Sequence, residues 1–99
     1  MNRPLLIRAE AELDIAEVRA WYEGQRTGLG DEFLLCLEEA FGRVRRMPGA
    51  GEPLARHARR SLIRRFPYAI YYREGDDHIA ILGVFHNRRD PRRLRSRLS

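Results

Sequence analysis

The side chains able to do chemistry gather in the second half of the chain. His86 closes a strand-like run from Ile79. An imidazole's ordinary pKa, about 6.5, lies near neutrality, so His86 suits a general acid or base. The plainer reading, a strand-end histidine bonded to backbone, is preferred. Phe66, Tyr68, Tyr71 and Tyr72 crowd one hairpin beside Arg64, Arg65 and Arg73. Such a set can stack bases. Aromatic residues are also good strand formers that pack over helices, and this is the stronger reading. The arginines from Arg56 to Arg65 suit bidentate contacts to phosphate and, equally, to the carboxylates of a protein. Cys36, the lone cysteine, lies beside an apolar helical stripe and is expected to be a buried structural thiol. No Cys/His spacing suits zinc, so no metal is expected. A large cofactor pocket would compete with the core of a 99-residue chain for the same few apolar residues, so no cofactor is expected either.

Charge narrows the class of partner. All 19 basic residues are arginine. Residues 1–42 carry a net charge of −5 and residues 43–99 a net charge of +10. This asymmetry implies a basic face aimed at an acidic partner. A single domain spanning 1–99 is expected from the length. The apolar run Leu5-Leu6-Ile7 is too short for a signal-peptide core, and Ile79–Phe85 is far below the ~20 residues that span a bilayer. With one unpaired cysteine, the expected location is a reducing cytoplasm, without a membrane partner.

The elements that must position these residues follow from periodicity. Leu5–Arg8 predicts a short first strand. Ala11, Ile15, Val18 and Tyr22 define one face of a helix that begins at Ala9 and that Gly24 ends or weakens. Trp21 and Tyr22 are expected as core and rim residues between helices. Glu10, Glu12 and Asp14 are assigned to the favourable helix dipole. Thr27-Gly28-Leu29-Gly30 is a connector. Phe33, Leu37, Ala40, Val44 and Met47 then form the stripe of a second helix, stopped by Pro48. The short connector makes the pair an antiparallel hairpin. Residues 48–58 predict a loop. Strands follow at Arg60–Arg65, Tyr68–Arg73 and Ile79–His86, the last apolar on both parities and therefore central. Asp90-Pro91 predicts an N-cap and first turn of a short terminal helix carrying Leu94 and Leu98. The order is β-α-α-β-β-β plus a helix: an α+β domain with a helical hairpin on one face of a mostly antiparallel sheet.

Taken together, several segments resemble the ParE/RelE superfamily of type II toxins, on the ParE side. They are Asp14-Ile15-Ala16-Glu17, Gly28-Leu29-Gly30-Asp31-Glu32-Phe33, Pro48, Arg65–Tyr72, Ile79–Leu82 and His86-Asn87-Arg88-Arg89-Asp90-Pro91. The resemblance covers nearly the whole chain, and it lies in the order and spacing of short motifs. It implies a plasmid-stabilisation type of toxin neutralised by a cognate antitoxin within a toxin–antitoxin hetero-oligomer. ParE-type members poison DNA gyrase; RelE-type members cleave mRNA on the ribosome.

The residues bear on that choice. Cleavage through a 2′-hydroxyl needs a base, an acid and cations on the developing charge. Arginine, protonated above pH ~12, is a poor base, and lysine is absent. A ribonuclease here would rest on Arg64, Arg65, Tyr72 and His86. The expected activity is instead non-enzymatic binding of DNA gyrase, with Arg60, Arg65, Arg73, His86, Arg88 and Arg89 facing target or antitoxin. The ribosome-dependent endonuclease is the alternative, and a non-toxic binding partner of the same fold is the third reading.

Overall fold

A helical hairpin, of which the second helix is strongly amphipathic, and an apolar interior strand settle the architecture. The computed structural model describes residues 3–88 and 91–99. In order, the elements are β1 (Leu5–Ile7), α1 (Ala9–Gln25), α2 (Leu29–Arg46), β2 (Glu52–Pro53), β3 (Ala58–Leu62), β4 (Tyr68–Glu74), β5 (Ile79–His86) and α3 (Pro91–Leu98). The strands form one sheet in the order β1-β5-β4-β3-β2. Only β1 and β5 pair in parallel; the other neighbours are antiparallel. No helix among the described residues is long and apolar enough to cross a membrane.

The hairpin is tight because glycine and glutamate make its turn. Gly28 adopts φ +90°, which side chains avoid. The Glu23 carboxylate accepts the N–H groups of Gly28 and Gly30 at 2.9 and 3.0 Å, satisfying donors that open α2. A Cβ on Gly30 would stand 2.8 Å from the Arg19 carbonyl, so the helices cross closely there. Helix α2 therefore starts two residues before the expected boundary, and Gly24 does not end α1.

β5 is covered on both faces, as its continuous apolar run requires. Ile79, Ile81 and Val84 join Phe33, Leu37 and Val44 under the hairpin. Leu82 and Phe85 join Tyr71 and Leu98 under α3. Strict alternation would put Val84 on the wrong side. A bulge at Leu82, an extra residue between the pairs Tyr72–Ile81 and Tyr71–Gly83, resets the parity. Each large apolar side chain so enclosed contributes about 1.5–3 kcal/mol. The aromatic hairpin divides between the two cores. Tyr72, Phe66 and Tyr68 face the helices, while Tyr71 stacks on Phe85 with centroids 4.1 Å apart.

Several sequence expectations change. Met47 lies past the end of α2 and is 67% exposed, so the core stripe stops at Val44. Trp21 points outward and is 57% exposed; only its neighbour Tyr22 packs against the core. Cys36 is half-buried rather than buried. The expected loop 48–58 contains β2 between two short 3-10 turns, and β3 begins at Ala58 instead of Arg60 and ends at Leu62. Two residues of strand with a proline give little periodicity to read. The expected Asp90 cap lies outside the described residues.

Candidate functional site

Most of the expected site residues hold the fold. Arg65 adopts φ +73° in the β3–β4 turn and donates to Glu32 of α2 at 2.8 Å. That hydrogen bond raises the Arg65 pKa and lowers the Glu32 pKa. Arg64 is well exposed, 3.7 Å from Glu39. The Tyr72 hydroxyl is buried and donates to the Pro48 carbonyl at 2.5 Å; burial pushes its pKa up. Arg73 donates to the carbonyls of Arg56 and Leu98, tying the end of α3 to the sheet. His86 accepts the Arg88 N–H through Nδ1 at 3.1 Å, so the neutral ring carries its proton on Nε2. This is the preferred reading of a strand-end histidine bonded to backbone. Arg89 lies outside the described residues.

Arg60 does sit at an open surface. It pairs with Glu52 of β2, donates to the Asn87 carbonyl at 3.0 Å and borders three grooves. Burial alone lowers its pKa, but the hydrogen bonds with Tyr71 and Glu52 outweigh burial and raise it. The first groove, of 410 Å³, runs between the end of α2 and the outer edge of the sheet. Val44, Met47 and Leu62 give it an apolar lining, and Arg43, Arg46 and Arg60 give it a basic rim. Two smaller grooves, of 160 and 310 Å³, join Arg60 to Asn87 and Arg88. A fourth, of 300 Å³, lies at the open edge of β5 between Glu17, Trp21, Tyr68, His86 and Arg93.

The residue missed in the sequence is Asp14. It is 3% exposed, not a solvated partner of the helix dipole. Strand β1 covers β5 only to Ile81, so the next edge groups need other partners. Asp14 accepts the Val84 N–H at 3.0 Å and two bonds from Arg97 of α3, at 2.5 and 2.9 Å. Arg97 also donates to the Leu82 carbonyl at 3.1 Å, and its hydrogen bond with Asp14 raises its pKa. Gly83 makes room for this guanidinium, since a Cβ there would lie 2.7 Å from Nη1. A clasp of α1, β5 and α3 results. One signal was available: Asp14 stands three residues after Ala11 and four before Val18, on the apolar face of α1.

The family model described as the ParE toxin of the type II toxin–antitoxin system parDE matches residues 5–91. The chain belongs to the ParE toxin family. Toxin ParE2 of Mycobacterium tuberculosis is 29% identical over 100 residues, spanning all of this chain and 95% of that protein. The structure of a chromosomal ParDE system from P. aeruginosa superposes with a TM-score of 0.74 at 15% identity, over 85% of this chain and 95% of that one. It establishes likeness of fold. The RelBE2 toxin–antitoxin complex from M. tuberculosis gives a TM-score of 0.63 at 26% identity, over 88% and 100%. The ParE-family chain thus has the fold expected from its sequence, with relatives on both sides of the superfamily.

Proposed function

We propose that this ParE-type toxin acts by binding DNA gyrase and is neutralised by a cognate antitoxin in a hetero-oligomer. The observation that carries the binding mode is the engagement of the groups a ribonuclease would use. The Tyr72 hydroxyl is buried against Pro48, Arg65 is held by Glu32, and His86 Nδ1 accepts a backbone N–H. Proton transfer needs an acid and a base within reach of the substrate; the Tyr72 hydroxyl is buried, and Arg64, although exposed, is a poor base. Purified toxin is expected to block supercoiling by gyrase; normal supercoiling with toxin in large excess sinks this target.

The antitoxin half of the proposal draws on the 410 Å³ groove. Its apolar lining and arginine rim suit an acidic segment with apolar anchors, which folds as it binds. Affinity for the antitoxin should fall as salt is raised.

The likeness to the RelBE2 complex favours a second reading, ribosome-dependent cleavage of mRNA. New mRNA 5′ ends at the ribosomal A site, slowed by His86→Ala, would replace gyrase as the target. A third reading, a non-toxic partner, is tested by induced expression without antitoxin: vigorous growth with folded protein supports it over both others.

A further inference from the structure

The arginines separate into two groups once their partners are known. Arg3, Arg19, Arg26, Arg43, Arg59, Arg60, Arg64 and Arg65 each meet a glutamate or aspartate, and Arg93 and Arg97 meet Asp14. Arg8, Arg45, Arg46, Arg56, Arg88, Arg92 and Arg95 are exposed and make no ion pair among the described residues, and three of these, Arg88, Arg92 and Arg95, lie on or just before α3. Arg92 and Arg95 are one helical turn apart on α3, and Arg88 lies just before that helix, between two grooves that it shares with Arg60 and Asn87. The clasp of Asp14 and the Arg73 bond to Leu98 fix α3 on the sheet, so this charge is held in place rather than on a free tail.

What this face lacks decides the partner. The exposed large apolar residues, Leu6, Ile7, Leu13, Trp21, Leu35, Met47 and Leu62, lie on other elements; of these Trp21 shares a groove with α3, through Arg93 rather than through Arg88, Arg92 or Arg95. On α3, Leu94 is half-buried and Leu98 is buried. A protein interface takes its affinity from buried apolar anchors at its centre. A surface of unpaired guanidinium groups without such anchors fits phosphates, which arginine binds by charge and by its planar fork of donors. The apolar groove with its arginine rim lies instead between α2 and the outer sheet edge.

We infer that Arg88, Arg92 and Arg95 form a contact face for the phosphate backbone of a nucleic acid. The inference goes beyond the proposed gyrase activity and does not depend on it. The backbone could belong to DNA or to RNA, and the chemistry of the contact is the same.

The test is binding of the intact toxin to a short duplex DNA, and to an RNA duplex of the same length and sequence, by fluorescence anisotropy over a range of salt. Three phosphates neutralised on duplex DNA give a slope of log K against log salt of about −2.7, a loss of roughly 40-fold between 50 and 200 mM. The variant Arg88→Gln/Arg92→Gln/Arg95→Gln should lose most of that slope. A matched variant, Arg8→Gln/Arg45→Gln/Arg56→Gln, removes three exposed arginines elsewhere, also without ion pairs among the described residues and outside the groove proposed for the antitoxin. It should retain nearly all of the slope. Preference for DNA or for RNA identifies the source of the phosphates, and either supports the inference. Equal losses in the two variants would mean that net charge alone is responsible and overturn it. So would loss of antitoxin affinity in the first variant with nucleic-acid binding unchanged, which would assign the face to an acidic protein. Circular dichroism of both variants separates unfolding from loss of contact. Failure of the supercoiling assay alone leaves this result standing.

Discussion

Replacing Asp14 by alanine tests the clasp that joins α1, β5 and α3. The carboxylate is 3% exposed, and the Arg97 side chain that it holds is 17% exposed. Removing it strands a mostly buried guanidinium and leaves the Val84 N–H without its acceptor. Breaking a buried pair from one side costs about 3–5 kcal/mol. Solvent at Arg97 and the remaining bond to the Leu82 carbonyl place the expected loss at the lower end, about 3 kcal/mol. This is a large share of the ~5–15 kcal/mol typical of a domain. Arg97→Met should cost less, because Arg93, 3.8 Å from Asp14, keeps a countercharge nearby. The assay is urea unfolding followed by circular dichroism on Asp14→Ala, Arg97→Met and the double variant. If the clasp acts as a unit, the double variant loses much less than the sum of the singles. Additivity within about 0.5 kcal/mol, or a loss below ~1 kcal/mol for Asp14→Ala, would refute the clasp.

Three further outcomes follow from the same structure. Gly83→Ala should destabilise by about 1–3 kcal/mol, because its Cβ would lie 2.6 Å from Phe85 Cε1 and 2.7 Å from Arg97 Nη1; an unchanged denaturation midpoint contradicts that packing. Tyr72→Phe should lower stability by ~1 kcal/mol while growth arrest persists, since the buried hydroxyl donates to the Pro48 carbonyl; lost toxicity at unchanged stability would give the hydroxyl a chemical role. Glu32 and Glu39 are held below their ordinary value of 4.5, mainly by hydrogen bonds from Arg65 and Arg43. On acidification the unfolded chain takes up these protons first, so their stabilisation is full above 4.5 and fades as pH falls through the lowered values. Denaturation midpoints between neutral and acidic pH measure this, and Glu32→Gln should flatten the curve; a wild-type midpoint that does not fall would contradict it.

The sequence by itself determined the elements and their packing class. The stripe Phe33–Val44 makes a helix with one buried face, and the unbroken apolar run Ile79–Phe85 demands cover on both faces of a strand. These are local periodicities, visible wherever three or four residues repeat. The short motifs, spaced in order, also marked the ParE/RelE superfamily, and the match over residues 5–91 agrees. Tertiary structure alone decided what the charges do. Arginines in sequence look interchangeable, and their partners lie far along the chain: Glu32 for Arg65, and Asp14, 83 residues away, for Arg97. Only folding brings such groups within hydrogen-bond distance, where burial turns a charge from a solvated surface group into a structural one. The same folding leaves Arg88, Arg92 and Arg95 exposed and without an ion pair among the described residues.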